Sequence, residues 1–147
     1  MKHYLDSSVV LAWLLEGRDM LAALEGETQV GSSRLLWVEI SRVLHRAIQT
    51  GRMDPSAATE ARHNFFRFAA GLNQIRLTEA VLDRAAGPYP LVVRTLDAMH
   101  LASAEVWSIP DREPAGVPNL SIWTLDRQMN LCAAQLGFTT PLLAGTA

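Results

Sequence analysis

The stretch His3-Tyr4-Leu5-Asp6-Ser7-Ser8-Val9-Val10-Leu11-Ala12-Trp13-Leu14-Leu15-Glu16-Gly17 decides the architecture. His3 to Leu5 reads as a short strand, Ser8 to Leu15 as a helix, and Gly17 as the stop signal behind it. Between strand and helix stands one acid, Asp6, followed by hydroxyls. The same alternation continues outward. A short helix around Asp19 to Leu24 precedes a weak strand candidate, Thr28 to Gly31. Leu35 to Gln49 is a long helix, because Leu36, Ile40, Val43, Leu44 and Ala47 fall on one face. Gly51 ends it, and Asp54-Pro55 opens the next helix, which continues to about Ala70. Asn73 to Leu77 reads as a strand, Glu79 to Ala86 as a helix, and Gly87-Pro88-Tyr89-Pro90 as a turn. Thr95 to Trp107 is helical and apolar nearly all round, the mark of a buried helix. Ile109 to Asn119, with its prolines, is a loop. A strand Leu120 to Thr124, a helix Arg127 to Leu136 closed by Gly137, and a last strand Phe138 to Leu142 follow. Strands alternating with helices predict an α/β fold, a mainly parallel sheet covered on both faces.

Composition narrows the class further. A chain of 147 residues, 49% hydrophobic and 19% charged, suits one domain spanning residues 1–147 and is too apolar for disorder. At this length roughly 70% of the unfolded surface is buried, so no stapling is needed. The single cysteine, Cys132, cannot form an internal disulfide, which fits a reducing cytoplasm. The apolar run Val9 to Leu15 is flanked by Asp6 and Glu16, which excludes a signal peptide, and no run approaches the ~20 residues of a membrane span. A soluble, cytoplasmic protein is expected. The net charge of −2 gives no chain-wide basic footprint, so a nucleic-acid partner would need a local patch. Twelve of the thirteen basic residues are arginine, Lys2 being the only lysine.

Ligands of open α/β sheets bind beyond the carboxyl ends of the strands. Asp6 and Asp126 are placed there, although either could simply cap the helix that follows it. Asp97 lies in the apolar segment Leu96-Asp97-Ala98-Met99-His100-Leu101-Ala102, where an unpaired carboxylate would be costly. The bland account makes Thr95 the N-cap and Asp97 a first-turn acid, worth only ~0.3–1 kcal/mol against the helix dipole. Glu39 borders an apolar helix face, and the bland account pairs it with Arg42 or Arg46. His100 follows Asp97 by one turn, and a lone histidine on a buried helix is more often a hydrogen-bonded core residue than a ligand. His3, His45 and His63 show no zinc spacing, and neither a phosphate-binding glycine loop nor a nucleophile elbow is present. Carboxylates without His or Cys suit a hard cation such as Mg²⁺ or Mn²⁺.

Four segments, Tyr4-Leu5-Asp6-Ser7-Ser8-Val9-Val10, Trp37-Val38-Glu39-Ile40, Arg94-Thr95-Leu96-Asp97-Ala98-Met99-His100-Leu101-Ala102 and Thr124-Leu125-Asp126-Arg127, in this order and spacing, resemble a PIN-domain ribonuclease. More narrowly they are similar to the VapC-type toxins of bacterial type II toxin–antitoxin pairs. The resemblance implies a three-layer α/β/α sandwich with a central, mainly parallel twisted sheet. It also implies endonuclease activity on single-stranded RNA at an acidic pocket holding one or two Mg²⁺ or Mn²⁺ ions. Carried over by position, Asp6, Glu39, Asp97 and Asp126 would be the catalytic and metal-binding acids, with Ser7, Ser8 and Thr124 as supporting hydroxyls. A small antitoxin whose tail lies along the apolar helices and inserts an arginine into the pocket, and a homodimer, are implied as partners. The family more often has Thr than Ser after the first acid, and the Ile109 to Asn119 loop is longer than expected. Asp111 and Glu113 on that loop either add acidity near the pocket or are solvated.

The arginine excess has two readings, genomic base composition and phosphate recognition by bidentate contact and base stacking. Arg94 and Arg127, beside candidate acids, are the first RNA-binding candidates, and Arg42 and Arg46 come next. Three alternatives stand against a toxin. One is a PIN-like RNA-processing nuclease without an antitoxin. Another is lysine-assisted phosphoryl chemistry, for which Lys2 stands at the wrong end. The third is a non-catalytic α/β interaction module whose acids only cap helices.

Overall fold

The computed structural model describes residues 1–143. Four short strands, β1 (Lys2–Leu5), β2 (Val30–Ser33), β3 (Asn73–Ile75) and β4 (Leu120–Trp123), form one parallel sheet in the order β3-β2-β1-β4. Six α-helices connect and cover them: α1 (Ser7–Glu16), α2 (Leu35–Gln49), α3 (Pro55–Ala69), α4 (Glu79–Ala85), α5 (Thr95–Ser108) and α6 (Arg127–Gln135). The result is the parallel sheet covered on both faces that the alternating pattern predicts, in the α/β/α sandwich that the resemblance implies.

The period of two along β1 divides the core. Leu5 points to a layer built from α1, α2 and α3, where Val9, Val10, Leu36, Ile40 and Phe65 are buried. Tyr4 points to the opposite layer, against Leu101 and Ala104 of α5, Ile122 of β4 and Met129 and Cys132 of α6. Both faces of the sheet are dry, as expected for parallel strands joined by helical crossovers. Gly17 ends α1 in the left-handed conformation at φ 67°, its N–H bonded to the Ala12 carbonyl.

Four expectations need correction, one being the strand over Asn73 to Leu77, which ends at Ile75. The second strand is Val30–Ser33, two residues beyond Thr28 to Gly31. Gly31, Ser32 and Ser33 lack the β-branched signature of a strand, yet each suits its place. A Cβ on Gly31 would stand 2.8 Å from the Asn73 carbonyl oxygen and 2.9 Å from the Trp107 ring. Ser32 donates to the Leu5 carbonyl at 2.7 Å, and Ser33 Oγ accepts from the Leu35 N–H at 3.1 Å. Phe138 to Leu142 forms no full strand. One parallel bridge joins Thr139 to Ser121, after which the chain turns at Pro141, whose ring nitrogen has no proton for a ladder. The helix expected over Asp19 to Leu24 shrinks to a 3₁₀ turn, Leu21–Leu24. Among the described residues no helix is long and apolar enough to cross a membrane.

Candidate active site

The β1–β4 register pairs Leu5 with Trp123, so the residues that follow each strand emerge side by side. Asp6 comes from β1, and Thr124 and Asp126 come from β4. Asp6 is almost fully buried and caps α1, accepting weakly from the Ser8 N–H at 3.4 Å. Its Oδ2 also receives the hydroxyls of Ser8, at 2.7 Å, and Thr124, at 2.8 Å. Those hydroxyls are themselves fixed. Ser8 Oγ accepts from the Leu125 N–H at 2.9 Å, and Thr124 Oγ1 accepts from the Asp126 N–H at 3.1 Å. One carboxylate oxygen is thus locked, while Oδ1 stands 3.7 Å from His100 Nε2.

Glu39 enters from α2. Contrary to the pairing with Arg42 or Arg46, its carboxylate turns inward, because better partners wait there. Ser7 donates to Oε2 at 3.0 Å, and Oε1 lies 2.5 Å from His100 Nε2. The two arginines remain exposed on α2. His100 is fully buried, with Nδ1 2.6 Å from the Tyr4 hydroxyl, whose oxygen also takes the Ser33 N–H at 3.2 Å. In the neutral ring Tyr4 therefore donates to Nδ1, and Nε2–H donates to Glu39. Burial, the largest influence on His100, disfavours its charged form, but the Glu39 hydrogen bond and the charges of Asp6, Glu39 and Asp97 outweigh it and raise its pKa. Tyr4 is pushed far above the ordinary phenol value, first by burial and then by Asp6, and stays protonated. Sequence reasoning undervalues His100. The usable signal is its place one helical turn after Asp97, on the same face of α5.

Asp97 lies in the first turn of α5, which Arg94 rather than Thr95 precedes as N-cap, without a side-chain cap bond. Burial raises the Asp97 pKa most, Asp126 and Asp6 add to it, and Arg94 opposes them. Asp126 does cap α6, Oδ1 accepting from the Met129 N–H at 2.8 Å, but its Oδ2 faces Arg94 Nη2 at 3.4 Å. Arg94 Nε reaches Asp97 Oδ2 at 3.3 Å. Arg127 is exposed just beyond Asp126.

Asp6, Ser7, Ser8, Glu39, Arg94, Asp97 and Asp126 all line one cavity of about 510 Å³. Capping and cavity lining therefore coincide in Asp6 and Asp126. The Ile109 to Asn119 loop takes no part: Asp111 pairs with Lys2, at the opposite end of β1, and Glu113 is exposed. Among the described residues no three His, Cys, Asp or Glu side chains stand together as a finished cage for a metal ion. The donors nevertheless suit a hard cation. Asp6 Oδ1 is outside the hydroxyl network, and among the described residues the outward oxygens of Asp97 and Asp126 are held only by Arg94.

The family model matching the sequence is that of the PIN domain, over residues 3–129. The chain belongs to the PIN domain family. PIN domains are nucleases, and the acid-lined cavity occupies the edge of the sheet at which an α/β fold binds its ligands. Solved structures share the fold, among them these three. A toxin–antitoxin complex from Klebsiella pneumoniae superposes with a TM-score of 0.64 at 19% identity, covering 97% of this chain and 99% of that one. VapBC2 from Rickettsia felis, bound to a DNA fragment from its promoter, gives 0.65 at 10% identity, with 95% and 97% covered. PAE2754 from Pyrobaculum aerophilum gives 0.61 at 15%, with 95% and 83% covered. No curated protein matches the sequence.

Proposed function

We propose that this PIN domain is a divalent-metal-dependent endoribonuclease that hydrolyses single-stranded RNA and serves as the toxin of a toxin–antitoxin pair in the cytoplasm. The observation that carries the reading is the convergence of Asp6, Glu39, Asp97 and Asp126, from four separate segments, on one open cavity. Capping alone requires no such convergence, and Glu39 caps nothing. Asp6, Asp97 and Asp126 would hold the ion, with Glu39 beside it. Bound there, Mg²⁺ or Mn²⁺ would polarise a phosphoryl oxygen and lower the pKa of a water.

The chain's own groups supply the rest. Ser8 and Thr124 keep Asp6 from rotating, so its free oxygen has a fixed direction. Glu39 receives the proton of the attacking water at a carboxylate oxygen, with Ser7 and His100 holding that carboxylate in place. Arg94 contacts the RNA phosphates, and Arg127, Arg42 and Arg46 extend the path along the exposed surface. In-line attack by water leaves a 5′-phosphate and a 3′-hydroxyl, with no covalent link to the protein. The toxin role is supported by the likeness to the Klebsiella and Rickettsia complexes. Exposed Leu15 on α1 and Val38 on α2 offer apolar footing for an antitoxin tail. A homodimer is part of the same reading.

The test is cleavage of a single-stranded RNA by purified protein with Mg²⁺ or Mn²⁺, alongside Asp6→Asn and Asp97→Asn. The expected result is cleavage that EDTA stops and both variants lack while remaining folded. Cleavage undiminished in the two folded variants would refute the assignment.

A further inference from the structure

Among the described residues, Arg94 is the one cationic side chain lining the acidic cavity. Its guanidinium bridges Asp97 Oδ2, 3.3 Å from Nε, and Asp126 Oδ2, 3.4 Å from Nη2. A guanidinium never gives up its proton, so this positive charge is permanent. The contacts are long and single, and although Asp97 and Asp126 are mostly buried the Arg94 side chain is 82% exposed, so water competes for the guanidinium and the pairs hold weakly. The side chain has no other hydrogen bond or ion pair among the described residues, and it makes no cap bond to the helix it precedes. Nothing in the packing requires it there.

We propose that Arg94 is a built-in counter-cation: in the metal-free protein it occupies the Asp97–Asp126 pair in competition with the divalent ion, and once displaced it takes the RNA phosphate. This rests on the metal-dependent reading above and deepens it. The two roles compete, because a phosphate that takes the Nε–Nη2 edge takes the two donors now given to the carboxylates. A phosphate that draws Arg94 outward therefore frees two carboxylate oxygens for the metal, and a metal that takes those oxygens releases the guanidinium for a phosphate. Metal and RNA then load with positive coupling, and linkage makes the effect reciprocal. Replacing the side chain costs the fold little, because it is exposed and supports no other group.

Calorimetric titration of the whole protein with Mn²⁺ tests this on wild type, Arg94→Gln, Arg94→Lys and Asp97→Asn. Arg94→Gln should bind Mn²⁺ roughly fivefold more tightly than wild type, the scale expected for removing a weak exposed competitor. Arg94→Lys, which keeps the charge without the fork, should fall between them, and Asp97→Asn should lose binding. A short single-stranded oligodeoxynucleotide, supplying phosphates, should tighten Mn²⁺ binding to wild type and leave Arg94→Gln unchanged. Wild type binding Mn²⁺ with Arg94→Gln equal or weaker overturns the competition alone. The absence of binding to both overturns the metal reading with it. An oligonucleotide effect equal in both proteins overturns the coupling to phosphate.

Discussion

The Asp6 corner and the Arg94 side of the same cavity are built in opposite ways. At Asp6, the Ser8 and Thr124 hydroxyls and the Leu125 and Asp126 N–H groups form a closed, largely buried network with contacts of 2.7–3.1 Å, to which the Ser8 N–H adds a weaker one at 3.4 Å. Across the cavity, Asp97 and Asp126 share one exposed guanidinium at 3.3–3.4 Å. The first arrangement belongs to the fold, being made by the register of β1 and β4 and by the start of α1. The second is a charge arrangement resting on the fold. One side supplies direction and the other supplies exchange, which suits a site that must hold its geometry while a cation and an RNA come and go.

The largest expected effect comes from removing charge at the rigid corner. Asp6→Asn keeps the size and most hydrogen bonds but loses the anion, and the rate of RNA cleavage should fall by about 10²–10³-fold with a nearly unchanged melting temperature. Second, Thr124→Val should break the corner structurally. It strips one donor from Asp6 and leaves the Asp126 N–H without its acceptor. Thermal denaturation should show a loss of about 1–3 kcal/mol, or several degrees. A loss within error would mean that the network does not hold the corner.

On the exchangeable side the effect on stability has the opposite sign. The raised pKa of Asp97 means that the folded, metal-free protein holds that proton more tightly than the unfolded chain does. Its contribution is fully present below the ordinary aspartate value and is lost as pH rises through the raised one. At neutral pH the ionised group is therefore a liability, and Asp97→Asn should raise the metal-free melting temperature slightly, with no gain near pH 3. An unchanged difference across that range would contradict the burial of Asp97 and, after it, the charges of Asp126 and Asp6 beside it. The smallest effect belongs to the outlying arginines: Arg42→Ala or Arg46→Ala should flatten the salt dependence of single-strand RNA binding by about 0.7 in log–log slope for each phosphate that the side chain no longer neutralises.

The same contrast separates what the sequence reveals from what it conceals. The long helix α2 matches its sequence expectation residue for residue, because five apolar positions at helical spacing make a local signal. β2 has no such signal, since its Gly-Ser-Ser suits the sheet only by fitting against Asn73, Trp107 and Leu5, all distant in sequence. The four acids could be singled out from strand ends, an apolar context and the family pattern. Their partners could not. That Glu39 prefers His100 to the arginines on its own helix depends on α2 and α5, which cover opposite faces of the sheet, bringing these two side chains together, a relation between residues 61 apart in the chain. Arg94 stands beside an acid in the sequence itself, but its bridge to Asp126 spans 32 residues and requires the fold.

The most direct test of a metal site guarded by Arg94 is a crystal soaked in Mn²⁺ and measured at the manganese absorption edge. The expected result is an anomalous peak in the cavity, ligated by Asp6 Oδ1 and the outward oxygens of Asp97 and Asp126, with the Arg94 guanidinium withdrawn from both carboxylates. A cavity without manganese at saturating concentration, or an ion bound with Arg94 still bridging Asp97 and Asp126, would contradict it.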